Sequence, residues 1–385
     1  MCQNPSSVPD PNPSPSASPG PSRNPDRNPS PGAEERCRGD LKKQALVEDL
    51  ARRLSSGDAA VRVQAARDVR RFARASVKSR SAFAVASIVH PLIAMLPSPD
   101  HDAREAALLA LLNLAVRNEG NKDKIVKSGA LPHLVELLRS GKNGLRDLAT
   151  AAVLTLSASA PNKPTIATSG AVPLLVQILT AGSIQGRVDA VTALYNLSSC
   201  EDTSNFILPS EAVKPLLTLL KDCKRYSKFA EKATGLLEIL SRTEEGRNLI
   251  SEFDGGILML VETIEEGSLL SAEYAAGVLL SFCSSCREKC RELILKEGPI
   301  PGLMLLTAEG TKKARERAHN LLELLRDDSK KKRVASKDLE ILVYDIATRV
   351  DGPVKAAVTA KRIMEDMVRR DKELTFTKLH PRRCQ

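Results

Sequence analysis

Tryptophan is absent from the 385 residues, and tyrosine and phenylalanine contribute only 4 and 7 side chains. A core that closes around one centre leans on large rings, whereas stacked helices can be filled with Leu, Ala, Val and Ile. Proteins that read single-stranded nucleic acid by stacking bases on aromatic faces are disfavoured on the same ground. No run of about 18 apolar residues occurs, so no membrane-crossing helix is expected. The opening Met1-Cys2-Gln3-Asn4-Pro5 lacks an apolar signal-peptide core, and the eight Cys are scattered. Both features predict a chain with reduced thiols in the cytoplasm, the nucleus or both. Phosphate-cradling Gly-rich motifs are missing too. Five scattered His supply no base for a catalytic thiol. The reading is a chain without catalytic residues, metal ligands or cofactors; Cys283, Cys286 and Cys290 are read as packing residues.

Charge is present but uneven. The net value is +10, with +7 in residues 41–86, −2 in residues 87–325 and +6 in the last 60 residues. A nucleic-acid binder usually carries a continuous basic track, which this middle interrupts. Ten of the 23 Pro and seven Ser fall in residues 1–32. That composition cannot bury enough apolar surface to offset its ordering entropy, so residues 1–40 are expected to be a disordered tail. Ser14, Ser18 and Ser30 each precede a Pro, as proline-directed kinases require. Residues 327–385 read as a basic extension whose two amphipathic helices cap the preceding array. Within it, Lys330, Lys331, Lys332 and Arg333 resemble a short nuclear-localisation signal.

Between residues 41 and 326 the chain repeats. Pro91, Pro132, Pro173, Pro215, Leu258 and Pro301 recur 41 to 43 residues apart, and Leu114, Leu156, Leu197, Leu240, Phe282 and Leu324 keep step with them. Helical patterning with a period of about 42 predicts an all-α solenoid of about seven units. In each unit, Gly129-Ala130-Leu131-Pro132 or its counterpart opens a short helix, with Gly in a left-handed conformation and Pro in the first turn. A longer helix follows, expected over about Leu145 to Ser157 in that unit. A still shorter one, containing Asn121-Lys122-Asp123-Lys124-Ile125 or Asn162-Lys163-Pro164-Thr165-Ile166, begins the next.

These units resemble the armadillo repeat, which runs Gly-Ala-x-Pro-x-Leu-Val-x-Leu-Leu, Ala-Leu-x-Asn-Leu-Ser and Asn-Lys-x-x-Ile. More closely, the chain is similar to the armadillo region of plant U-box ubiquitin ligases. Glu309 to Leu322 is similar to how those arrays finish. The resemblance implies a right-handed solenoid whose third helices line a concave groove for a protein or an extended peptide. Such ligases carry a U-box ahead of the array; the Pro/Ser-rich stretch here does not resemble one. The expected function is a non-catalytic adaptor in ubiquitin-linked signalling; ligase activity and nuclear-transport carriage are the alternatives.

Seven units at about 8–10 Å spacing give a rod of roughly 60–70 Å, long enough for about 18–20 extended residues. Armadillo importins grip cargo with a Trp and an Asn one turn later on the third helix. The corresponding pairs are Leu109/Asn113, Ala151/Thr155, Thr192/Asn196, Gly235/Ile239, Gly277/Ser281 and His319/Glu323. No Trp is present, which disfavours importin-like carriage. Asn113, Thr155, Asn196 and Ser281 remain as candidate groove contacts. Elsewhere, Arg62, Arg67, Arg70, Arg71, Arg74, Lys78 and Arg80 crowd the first unit. Arg67, Arg70, Arg71 and Arg74 share one helical face by i,i+3 and i,i+4 spacing, a patch suited to acidic or phosphorylated segments.

Overall fold

The computed structural model describes residues 31–199, 207–326 and scattered positions between 343 and 362. Ser14, Ser18, Ser30 and Lys330–Arg333 lie outside the described residues, as does most of the C-terminal extension. The described residues hold helices and no strand. In chain order the first unit contains α1 (Pro31–Leu54) and α2 (Ala59–Ala75), and the second α3 (Val77–Phe83), α4 (Ala86–Ala94) and α5 (His101–Ala115). The third contains α6 (Glu119–Lys127), α7 (Ala130–Leu138) and α8 (Asn143–Ser157). The fourth contains α9 (Lys163–Thr168), α10 (Ala171–Ala181) and α11 (Ile184–Ser198). The fifth has α12 (Val213–Lys221) and α13 (Lys228–Leu240), and the sixth α14 (Glu244–Glu252), α15 (Gly256–Glu266) and α16 (Leu269–Ser285). The seventh has α17 (Arg287–Lys296), α18 (Ile300–Glu309) and α19 (Lys312–Leu325). The last helices of the units, α2, α5, α8, α11, α13, α16 and α19, stack in chain order. The boundary expected at residue 41 falls inside α1.

The punctuation follows from local chemistry. Gly129 and Gly170 precede α7 and α10 with φ of 88° and 84°, a region that costs a side-chain-bearing residue steric strain. Pro132, Pro173, Pro215 and Pro301 occupy first turns, where a missing N–H removes no helical bond. Pro91 differs. Its helix starts at Ala86, so Pro91 lies inside α4. The carbonyl it leaves unbonded belongs to Ser87, which is exposed to water.

Two hydrogen-bond devices join one unit to the next. Asn121 Nδ2 donates to Leu114 O at 2.9 Å and to Arg80 O at 3.0 Å, and Asn162 Nδ2 donates to Leu156 O at 3.2 Å. Both Asn residues are buried. The Asn of the Asn-Lys-x-x-Ile pattern thus reaches carbonyls in the preceding unit: Leu114 O takes its bond from Asn121, whereas Arg80 O and Leu156 O also accept the backbone N–H of Ala84 and Ser159. The second device is a carboxylate reaching the N-cap hydroxyl of the next unit. Ser183 donates to Asp147 at 2.8 Å, Ser268 to Glu231 at 3.1 Å, and Thr311 to Glu273. Each hydroxyl also accepts a backbone N–H from its own helix: Gly186, Ser271 and Ala314. Between α11 and α13 Val188 stands at the carboxylate position, and Ser227 caps α13 by accepting from Ala230 N–H. Behind these devices lies one apolar core running from Leu50 to Leu325, the continuous burial that no single unit could supply.

Candidate functional site on the concave face

Each residue expected in the groove is half-buried and engaged with the array. Asn113 Nδ2 donates to Leu109 O at 2.7 Å, and Thr155 Oγ1 donates to Ala151 O at 2.8 Å, both one turn back in the same helix. Asn196 Nδ2 reaches the previous unit, donating to Ser157 Oγ at 3.2 Å and Leu154 O at 3.5 Å. Ser281 Oγ donates to Ser241 O at 2.7 Å. Their donors therefore stitch helices together, while the Asn carbonyl oxygens keep acceptor capacity.

Two side-chain bridges cross the groove line further along, each joining units two apart. Tyr195 on α11 and Tyr274 on α16 meet hydroxyl to hydroxyl at 2.7 Å, with ring centroids 6.3 Å apart in an edge arrangement. They pass over Gly235 on the intervening α13, where an added Cβ would lie 2.8 Å from the Tyr195 ring and 3.1 Å from that of Tyr274. Burial and the Tyr195 hydroxyl raise the Tyr274 phenol above its ordinary value. The next bridge repeats this design one unit on. Arg317 on α19 forms a fork on Glu238 of α13, with Nη2–Oε1 at 2.6 Å and Nη1–Oε2 at 3.2 Å. It crosses Gly277 of α16, whose added Cβ would sit 2.9 Å from Arg317 Nη1. Both bridges link residues 79 apart.

Gly235 and Gly277 are thus more than positions without Trp. Their missing side chains make room for the chain's own bridges, which occupy the groove line from the fourth unit to the seventh. Sequence reasoning noted both glycines without this role. The available signal was a glycine inside a third helix, where it costs about 1 kcal/mol relative to Ala. Between the bridges and the open half stands Lys232, whose Nζ donates to Thr192 Oγ1 at 3.3 Å. Burial pulls its ammonium below the ordinary value, and Glu231 partly opposes that.

At the other end, the structure sorts the basic residues of the first unit by task. Arg62 donates to Ser56 O and Gly57 O, and Arg80 to Ala73 O and Val116 O, so both close helix ends. Arg67, Arg70, Arg71 and Arg74 together line a cavity of about 360 Å³. Arg67 is oriented by Asp102 at 3.2 Å, and Arg71 by Asp68 at 3.1 Å with its guanidinium 4.9 Å from the Phe72 ring centroid. Asp68 is buried and also holds Arg53 at 2.8 Å. Arg70 and Arg74 pair with no carboxylate among the described residues. Like charges at these spacings cost a helix about 0.2–0.5 kcal/mol per pair.

Among the described residues, the ligating groups that converge are His101, Asp102 and Glu105, partly exposed on the first turn of α5. Cys283 is buried and Cys286 exposed. Burial, then the neighbouring Cys290 thiol, pushes the Cys283 thiol up to about 11. The buried Cys283 thiol is therefore a poor nucleophile at neutral pH.

Comparison with known proteins agrees with this geometry. The armadillo/β-catenin-like repeat matches residues 118–158 and 159–199, and the plant U-box protein ARM repeat region matches residues 188–344. U-box domain-containing protein 45 of Arabidopsis thaliana is 30% identical over 227 residues, covering 58% of this chain and 29% of its own length. U-box domain-containing protein 1 of Medicago truncatula is 31% identical over 110 residues, covering 29% of this chain and 16% of its own. The chain thus spans well under two thirds of these relatives. A crystal structure of an engineered protein superposes with a TM-score of 0.57 at 24% identity, covering 82% of this chain and 77% of that one, a likeness of fold. The chain is an armadillo-repeat solenoid. Within that class it is related to the armadillo region of plant U-box ligases, and no enzymatic fold signature lies among its described residues.

Proposed function

We propose that this chain is an adaptor that holds an extended segment of a partner protein along α2, α5 and α8, as far as the Tyr195 bridge on α11, in ubiquitin-linked signalling. The observation that carries this reading is the asymmetry of the groove. Bridges fill its line from the fourth unit onward, whereas Leu109, Leu112, Ala151 and Thr155 are half-buried with no bridge above them. Four stacked helices span about 24–30 Å, which accommodates about eight or nine extended residues. That is half the length expected from seven open units. The reading is tested by selecting displayed nonapeptides on the full chain. Ala151→Glu should abolish their retention, and Ser281→Ala, beyond the bridges, should leave it intact. Equal retention by Ala151→Glu would overturn the reading. The ubiquitin link follows from the relatives. Mixed with ubiquitin, activating enzyme and conjugating enzyme, the chain alone should build no ubiquitin polymer, and robust polymer would instead assign it ligase activity.

A further inference from the structure

In the arginine cavity of the first unit, Arg67 links α2 to α5 through Asp102, while Arg70 and Arg74 have no carboxylate partner among the described residues. Other arginines along the array spend their donors on main-chain carbonyls at helix ends: Arg62, Arg80, Arg187 and Arg247 all do so. Arg67, Arg70, Arg71 and Arg74 instead converge on open space. Asp102 and Asp68 each hold one Nη2 of Arg67 and Arg71, which fixes those two guanidinium planes and leaves their other donors available. Arg70 and Arg74 have no ion pair among the described residues, and the buried Arg70 Nε has no hydrogen-bond partner. The cluster also borders the groove. Arg71 precedes Leu112, Leu154, Tyr195 and Glu238 by successive steps of 41, 42, 41 and 43 residues, and the last two are the bridge residues over the groove line.

We propose that this cavity seats a phosphorylated side chain of the peptide that occupies the open half of the groove. The proposal rests on the groove reading above. A phosphate dianion offers three strong acceptor oxygens, enough for several guanidinium forks at once, whereas a carboxylate is satisfied by one fork. Guanidinium planes already fixed by carboxylates lose less freedom when the anion arrives. A nucleic-acid strand would need phosphate contacts spread along a track, and residues 87–325 carry −2. The cavity is one basic pole at the end of a near-neutral groove, which suits a single phosphate on an otherwise unremarkable peptide.

The test uses the full chain and two nonapeptide libraries, identical except for phosphoserine or serine fixed at each position in turn. The phosphoserine library should be retained about tenfold more strongly, and the excess should shrink as NaCl is raised. Arg70→Ala with Arg74→Ala should erase that excess while leaving retention of the serine library unchanged. Arg70→Lys with Arg74→Lys should restore part of it, since the charge returns without the fork. Circular dichroism of each variant checks that α2 still folds. Equal retention of the two libraries by the wild-type chain overturns the proposal and spares the groove reading. An excess that survives the double Ala variant overturns it too. So does single-stranded DNA or phosphatidylserine vesicles displacing the phosphopeptides as well as free phosphopeptide does. Retention of neither library overturns the groove reading and this proposal together.

Discussion

The bridge glycines show how a single missing side chain can be decisive. In an Arg317→Ala background the Glu238 carboxyl, 3.1 Å from an added Cβ, is the remaining neighbour and has no guanidinium to hold it there; once it turns aside, Gly277→Ala should raise stability by about 1 kcal/mol through helix propensity. With Arg317 present, the new Cβ meets its guanidinium at 2.9 Å and displaces it from Glu238, cancelling that gain. A double-mutant cycle read from urea midpoints should therefore show a coupling of about 1–2 kcal/mol. Strict additivity would mean that the guanidinium does not lie over Gly277. The thiols make a second prediction at this scale. Iodoacetamide at pH 8 should modify exposed Cys286 readily and spare Cys283 until the chain is denatured, as read by mass spectrometry of the peptides. Because the raised Cys283 value favours the neutral thiol in the folded state, its contribution to stability holds below about pH 9 and is lost as pH climbs towards 11. None of this was legible in the sequence beyond the glycines themselves. Each bridge joins residues 79 apart, and their meeting depends on the stacking angle, which a period cannot report.

At the scale of elements the sequence was far more explicit. The period placed all seven terminal helices, and α8 occurs at Asn143–Ser157, within two residues of expectation. Gly129 and Gly170 take the left-handed conformation their positions imply. The Asn-Lys-x-x-Ile pattern was visible as a motif, yet its purpose emerged only from the carbonyls that Asn121 and Asn162 satisfy. Removing the Asn121 amide strands Leu114 O, whereas Leu156 O keeps the Ser159 N–H when Asn162 is removed. Asn121→Ala, which loses two bonds, should cost about 1–3 kcal/mol, and Asn162→Ala should cost less. Thermal melting of the two variants checks the order; equal and negligible shifts would show that water replaces the amide without penalty. The pattern marks Asn113 and Asn196 as groove contacts, yet at both positions the array engages the amide donors itself. Local geometry competed with the ligand, and sequence alone carried no means of ranking the two.

Over the whole molecule, charge and side-chain bridging divide the rod into an open basic-ended half and a self-filled half. Hydrogen exchange should follow this division. Tyr274→Phe, which loses the hydroxyl contact with Tyr195, should speed exchange in α13 and α16 and leave α5 and α8 unchanged. Uniform acceleration along the chain would contradict the quasi-independent coupling of neighbouring units. Location in the cell is a separate question for the Lys330–Arg333 cluster. Replacing all four residues with Ala should shift the protein out of the nucleus, as scored by fluorescence of a tagged chain; an unchanged distribution would remove that cluster as an address. The ladder of carboxylates and N-cap hydroxyls adds a mechanical side to the picture. It runs from α8 to α11 and again from α13 to α19, and lapses between them at α11–α13, where Val188 stands at the carboxylate position and the phenol pair spans the junction from α11 to α16. The rod therefore has a seam with a splint across it. Parting one hydroxyl contact would let its two segments flex, changing the curvature that an elongated partner feels at the far end.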